Sequence, residues 1–243
     1  MNYYFSLFCI SSLCYSLLMK VSERFVNAVL RGFLRVTCRI NLEELKKVPQ
    51  DGPLILLANH TYALDGPMLY VFLKRKNLLA MAKKELWTNK FLGWVMDLWR
   101  SIPVDRENMG RETMEACLAA LDRKEILAMA PEGTRSKDEC LQQGKAGMAY
   151  IAHKKDAPMV PVVIMGFSSF SKNIKRLRRT PITIRVGKPF EIIKKGGRVD
   201  AATRDALIDE IMLRMASLMP EEKRGYYENR PLEFSLTREI AKA

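Results

Sequence analysis

The chain has 243 residues, enough to bury one substantial core, and its 40 Lys+Arg against 27 Asp+Glu leave a net charge of +13. Five cysteines without a CxxC pair argue against a disulfide framework or zinc ribbon, and two histidines without HExxH spacing argue against a histidine metal centre. No protein-bound metal or cofactor is expected, and the positive charge favours an anionic partner: nucleic acid, an acidic membrane surface, or a phosphorylated or acidic substrate.

Residues 1 to 19 carry no charged side chain and are mostly apolar, with serines interspersed. A spanning helix needs about 20 apolar residues, so the segment is at the threshold. A buried helix is the alternative to membrane contact. Over residues 20 to 40 a helical wheel places Arg24, Arg31, Arg35 and Arg39 on one stripe. Phe25, Val29, Leu30, Phe33, Leu34, Val36 and Ile40 fall opposite. That pattern fits a helix in a membrane interface with its arginines toward anionic headgroups, and equally a core-facing helix with a solvated basic face. Adjacency to the uncharged run favours the membrane. Residues 1–40 therefore read as N-terminal membrane-associating helices, and 41–243 as the main domain.

Beyond Pro53, apolar runs at 54–58, 78–82, 102–104, 126–130, 160–165 and 182–186 read as strands. Amphipathic stretches at 66–76, 85–98, 107–123, 145–154 and 203–219 read as helices, the last stopped by Pro220. The alternation predicts an α/β fold with a mainly parallel central sheet flanked by helices. Nearly continuous apolar strands fit burial on both faces. Lys172 to Arg179 forms a basic cluster after a Ser-rich turn. It carries no aromatic interleaving that would speak for nucleic acid.

Candidate chemistry follows two of the predicted strands. His60 ends the first, and Asp65 lies five residues on, before Gly66-Pro67. The carboxylate can fold back to orient the imidazole as a general base, or serve only as a helix N-cap. The spacing alone does not choose. No GxSxG is present, and no cysteine has a histidine close in sequence; direct attack by a hydroxyl that His60 deprotonates needs neither. In Pro131-Glu132-Gly133-Thr134-Arg135-Ser136 the glycine permits close backbone approach, Thr134 and Ser136 offer hydroxyls, and Arg135 offers a fork for phosphate oxygens. Arg106, after Ile102-Pro103-Val104-Asp105, has the same relation to its own strand. Two guanidiniums at two strand ends suggest one phosphate, although each could simply pair with Asp105 or Glu132.

His-x4-Asp, Ile-Pro-Val-Asp-Arg, Pro-Glu-Gly-Thr-Arg-Ser and Val160-Pro161-Val162 resemble, in order, the four motif blocks of the glycerolipid acyltransferase family. The likeness is strongest to bacterial 1-acyl-sn-glycerol-3-phosphate acyltransferases and covers roughly residues 41 to 227, including Gly144-Lys145-Ala146-Gly147. The resemblance implies that His60 is the base with Asp65 as its partner. It also implies that Arg106, Glu132, Gly133 and Arg135 hold the acceptor's glycerol phosphate, with Lys83 a further candidate and Thr134 beside them. Val160, Pro161 and Val162 would shape the acyl-donor side. The implied reaction is acyl transfer from acyl-CoA or acyl-carrier protein to lysophosphatidate, in phospholipid biosynthesis. The odd set of unpaired cysteines fits a reducing, cytosolic face, so the catalytic domain is expected on the cytoplasmic face of the cell membrane, in contact with anionic lipids, and no nucleic-acid partner is expected. Two departures stand out: Ala130 replaces a bulky aromatic, and Arg100 occupies a position where the second block usually begins with Gly.

Overall fold

The computed structural model describes residues 3–50, 53–73, 75, 77–105, 109–155, 157–193 and 200–241, with side chains from residue 18 onward. Arg106, assigned from its strand-end position, lies outside the described residues.

The six expected strands form, four of them lengthened or trimmed by a residue or two: β2 (Leu54–Ala58), β3 (Leu78–Lys83), β4 (Ile102–Val104), β5 (Ile126–Met129), β6 (Met159–Met165) and β7 (Thr180–Val186). Three more join them: β1 (Cys38–Ile40), β8 (Phe190–Ile192) and β9 (Thr237–Glu239). The sheet order is β1-β7-β6-β2-β5-β3-β4, with β8 pairing both β6 and β9. Strands β2 to β5 run parallel, as do β2 with β6 and β1 with β7, whereas β6–β7, β6–β8 and β8–β9 are antiparallel. The sheet is therefore mixed, mostly parallel.

Alternate residues of β2 feed two cores. Leu54, Leu56 and Ala58 pack on one face, with Met68 and Phe72 of α2 (Asp65–Phe72) and Val95 of α3 (Lys90–Leu98). Ile55 and Leu57 pack on the other, with Cys117 of α4 (Arg111–Asp122), Ile151 of α5 (Ala146–Lys154) and Ile211 of α7 (Ala201–Ala216). Burial on both faces is why these strands read as unbroken apolar runs.

The N-terminal region is one helix, α1 (Tyr3–Thr37), not two, and it stops short of 40 because Cys38–Ile40 pair with β7 instead. Leu30 and Leu34, expected on a lipid face, pack into the core, and Leu34 is fully buried. Arg31 also departs from the expected headgroup stripe. Its Nε and Nη2 donate to the Val71 carbonyl at 3.1 and 2.8 Å, satisfying an orphan acceptor at the end of α2. Arg35 lies over the Phe72 ring. The large apolar residues that α1 leaves outward are Leu18, Val21, Phe25, Val29, Phe33 and Val36, spaced as one helical stripe, with Lys20, Arg24 and Arg35 also exposed.

The segment 166–179 is not only loop: a short helix, α6 (Phe170–Lys175), follows β6. Gly166, which starts this turn, has φ 109°, and a Cβ there would sit 2.3 Å from the Pro181 carbonyl oxygen. Both the left-handed backbone and the clash with main chain exclude a larger residue. Gly166→Ala should cost at least about 2 kcal/mol. A urea midpoint unchanged from the parent would contradict this packing.

Candidate active site

Because β2 to β6 point the same way wherever they are parallel, the loops leaving β2, β3, β4 and β5 gather along one edge of the sheet. Ligand sites in open α/β sheets form there. Asn59, just past β2, is buried and clamps it to β6: its Nδ2 donates to the Ile164 carbonyl at 2.9 Å, and its Oδ1 accepts from Ile164 N–H at 2.7 Å.

His60 comes next, and both of its backbone groups are held by the Pro131–Ser136 segment that leaves β5. Its N–H donates to Glu132 Oε1 at 3.0 Å, and its carbonyl accepts from Ser136 N–H at 2.8 Å. The imidazole Nδ1 lies 3.2 Å from Asp65 Oδ2. That same oxygen accepts the backbone N–H groups of Thr61 at 2.7 Å and Tyr62 at 2.6 Å. Asp65 thus folds back onto its own loop instead of capping α2 forward, and the N-cap interpretation of this residue falls away. With an ionised carboxylate as pure acceptor, Nδ1 is the donor and Nε2 is left with its lone pair. The carboxylate is buried, the ring is 20% exposed, and Asp65 Oδ1 has no partner among the described residues.

Glu132 does not stand in the open. It is 1% exposed, and its second oxygen accepts Gln142 N–H at 2.9 Å. Burial pushes its carboxyl up to about 7, the nearby charges of Asp65 and Asp138 adding to a rise that the two N–H donors oppose. Glu132 is therefore occupied in positioning His60 and the 142 segment. Gly133 turns the chain at φ 69°, and a Cβ there would meet the stem of Lys145 at 3.1 Å. Thr134 and Arg135 are exposed. Arg135 makes no hydrogen bond or ion pair within the described structure, so it does not pair with Glu132. Ser136 is buried, and its hydroxyl donates to Asp138. Lys83 pairs with Glu85 at 3.6 Å beyond the end of β3, and Lys84 with Asp105.

His60, Asp65, Gly133 and Lys145 share a cavity of about 390 Å³, whose inner wall includes Leu69 and Leu78. Ala130 lines it too, so the missing aromatic enlarges this space. Tyr70 is another wall residue, stacked 4.6 Å from the Trp99 ring, its hydroxyl donating to Glu23 of α1 at 3.1 Å. Trp99 in turn donates to Asn27 at 2.9 Å, so α1 braces the cavity. Lys83, Thr134 and Arg135 are not among the lining residues. Nor are Val160, Pro161 and Val162, which lie buried in β6 at the middle of the sheet. Arg100 adopts φ 51° just after α3, a left-handed backbone that glycine takes without strain, and it pairs with Glu125 at 2.7 Å. Lys145 and Tyr70 were not singled out from sequence. The only signal for Lys145 was its place in Gly144-Lys145-Ala146-Gly147; Tyr70 sits in an ordinary helical pattern.

A match to the family model described as Acyltransferase spans residues 39–165. The chain belongs to the acyltransferase family. It is 32% identical over 161 residues to the 1-acyl-sn-glycerol-3-phosphate acyltransferase of Bacillus subtilis, covering 66% of this chain and 75% of that protein. The protein of the same description from Streptococcus pneumoniae is 29% identical over 189 residues, covering 76% and 68%. In fold, the chain is similar to the crystal structure of the 1-acyl-sn-glycerophosphate (LPA) acyltransferase, PlsC, from Thermotoga maritima. That likeness has a TM-score of 0.58 at 19% identity, covering 89% of this chain and 84% of that one.

The Glu132 carboxyl yields a pH prediction. Its folded value of about 7 exceeds the ordinary 4.5, so the folded chain holds the proton more tightly. The associated stability is complete below pH 4.5 and is lost as pH rises through about 7, a change of up to about 3 kcal/mol. Glu132→Gln should flatten that decline in urea midpoints measured between pH 4.5 and 8. An equal decline in parent and variant would contradict the assignment.

Proposed function

We propose that the chain transfers a fatty acyl group from a thioester, acyl-CoA or acyl-carrier protein, to the free hydroxyl of 1-acyl-sn-glycerol 3-phosphate, forming phosphatidate. The observation that carries this reading is the His60 Nδ1–Asp65 Oδ2 contact in the lining of a largely apolar cavity. The free Nε2 takes the hydroxyl proton as the acceptor oxygen attacks the thioester carbonyl. The resulting tetrahedral oxyanion collapses by breaking the C–S bond, and the thiolate leaves with the proton that His60 held. Asp65 stabilises the imidazolium between these steps. The apolar wall suits an acyl chain.

Among the described residues, Arg135 and Lys145 are cations that could serve the acceptor phosphate, beside Arg106, which the sequence assigned to it. Arg135 is exposed with no partner among the described residues, and Lys145 lies over Gly133 and lines the cavity. In this reading Glu132 serves the acceptor indirectly, through His60. A lipid acceptor also fits the outward stripe of α1, where Phe25 is 68% and Val36 73% exposed. No helix among the residues whose side chains are described, from 18 onward, is long and apolar enough to cross a membrane. In the proposed reading the stripe that begins at Leu18 lies against the cytoplasmic surface of the bilayer.

Acceptor profiling on purified protein tests the reading. Lysophosphatidate should be used in preference to glycerol 3-phosphate and to lysophospholipids with larger headgroups; preference for either of the others would overturn it. Because Lys keeps the charge but loses the planar fork, Arg135→Lys should raise the acceptor KM about tenfold with little change for the donor. Equal changes for both substrates would remove Arg135 from the phosphate site.

A further inference from the structure

The segment from Phe170 to Arg179 links α1 to the loop that carries His60. At one end the Phe170 ring meets Phe33 of α1 at 6.2 Å and Tyr62, between His60 and Asp65, at 5.7 Å. Tyr62 also stacks on Phe167 at 5.5 Å, and its hydroxyl lies 3.1 Å from Ser171 Oγ. At the other end Arg179 donates to the Arg35 carbonyl at 2.8 Å and to Cys38 O at 2.6 Å. The arm is thereby fixed beside Phe33 and Val36, the last outward apolar residues of α1.

Its tip departs from what a solvated loop needs. Leu177 is 95% exposed and held at φ 51°, a left-handed conformation that a branched side chain seldom adopts. The turn is nonetheless ordered: Leu177 N–H donates to the Ile174 carbonyl at 3.1 Å, and Arg178 N–H to Asn173 O at 2.9 Å. Asn173 ties the base of the turn to Thr180 at 3.2 Å. Around the tip, Lys172, Lys175, Arg176 and Arg178 are exposed, without ion pairs among the described residues, and Ile174 is partly exposed. A hydrogen-bonded turn that displays an exposed leucine flanked in sequence by cations without ion pairs among the described residues matches a surface that is apolar below and anionic above.

We infer that this arm is a second membrane contact, in which Leu177 enters the interface of an anionic bilayer and the four basic residues meet lipid phosphates. The inference rests on the bilayer-facing reading of α1 and extends it. One helix leaves the protein free to roll about its axis, whereas a second contact at the arm restricts that roll. Tyr62 then holds the His60 loop against the part of the fold nearest the lipid. Nucleic acid fits the arm less well, because the tip offers an aliphatic side chain and no exposed aromatic ring for stacking.

The test uses the full chain with vesicles of phosphatidylcholine alone or mixed with phosphatidylglycerol. Each basic residue at an anionic surface is worth about fivefold in partition. Replacing Lys172, Lys175, Arg176 and Arg178 together by Gln should therefore lower binding to the mixed vesicles well over tenfold. Binding to phosphatidylcholine, and turnover on detergent-dispersed acceptor, should not change. In a separate variant, Leu177→Trp, emission should shift to the blue with mixed vesicles only. Unchanged partition of the Gln variant, no emission shift, or strong binding of the parent arm to duplex DNA in place of vesicles would overturn the inference. A Phe25→Ser, Val29→Ser variant separates the two contacts. If it binds both vesicle types like the parent while the Gln variant fails, the α1 reading is wrong and the arm stands; if it alone loses binding, the arm is wrong and α1 stands.

Discussion

The backbone of His60 is held on both sides by one short segment: its N–H by the buried carboxylate of Glu132, its carbonyl by the N–H of Ser136. These two bonds join the loop leaving β2 to the loop leaving β5, adjacent strands of the sheet. Everything else at the site hangs from that junction. Asp65 orients a ring whose backbone is already placed. Gly133, next to the anchored Glu132, makes its left-handed turn without strain because it lacks a Cβ. The cost is visible in Glu132, whose buried charge is disfavoured enough to lift its carboxyl to about 7 despite two N–H donors. Asn59, bonded twice to Ile164, extends the same logic to β6.

Much of this was legible in the sequence, because two-sided burial leaves strands as apolar runs that need no long-range information to recognise. β1, β8 and β9 were not legible: each is three residues long, and Arg39, Glu191, Arg238 and Glu239 make them look like loop. Their pairing is decided by distant partners such as Thr180 and Met159. The expected helix across 20 to 40 was right in period but missed what its faces meet. Arg31 and Leu34 have the same spacing whether they face lipid or protein, and only the position of α2 distinguishes the two.

At the site, residue types were easier to find than roles. The His-x4-Asp spacing left base and N-cap alike open until Asp65 was seen accepting N–H bonds from Thr61 and Tyr62 behind it. Glu132 read as part of an acceptor-binding motif, whereas its carboxylate is spent on backbone N–H groups, a role no local pattern announces. Lys145 reaches the cavity through the turn at Gly133, and Tyr70 through a stack with Trp99 and a bond to Glu23. These contacts also tie the cavity wall to α1, so the helix with the outward apolar stripe is part of the site's framework.

The central claim is that His60, oriented by Asp65, is the base for acyl transfer. It is tested most directly by single-turnover transfer of a labelled acyl group from thioester to lysophosphatidate, comparing the parent with a His60→Ala variant of equal thermal stability. The account predicts a loss of about 10²- to 10⁴-fold in the transfer rate with donor binding retained. Transfer by the folded variant at a rate near that of the parent would contradict it.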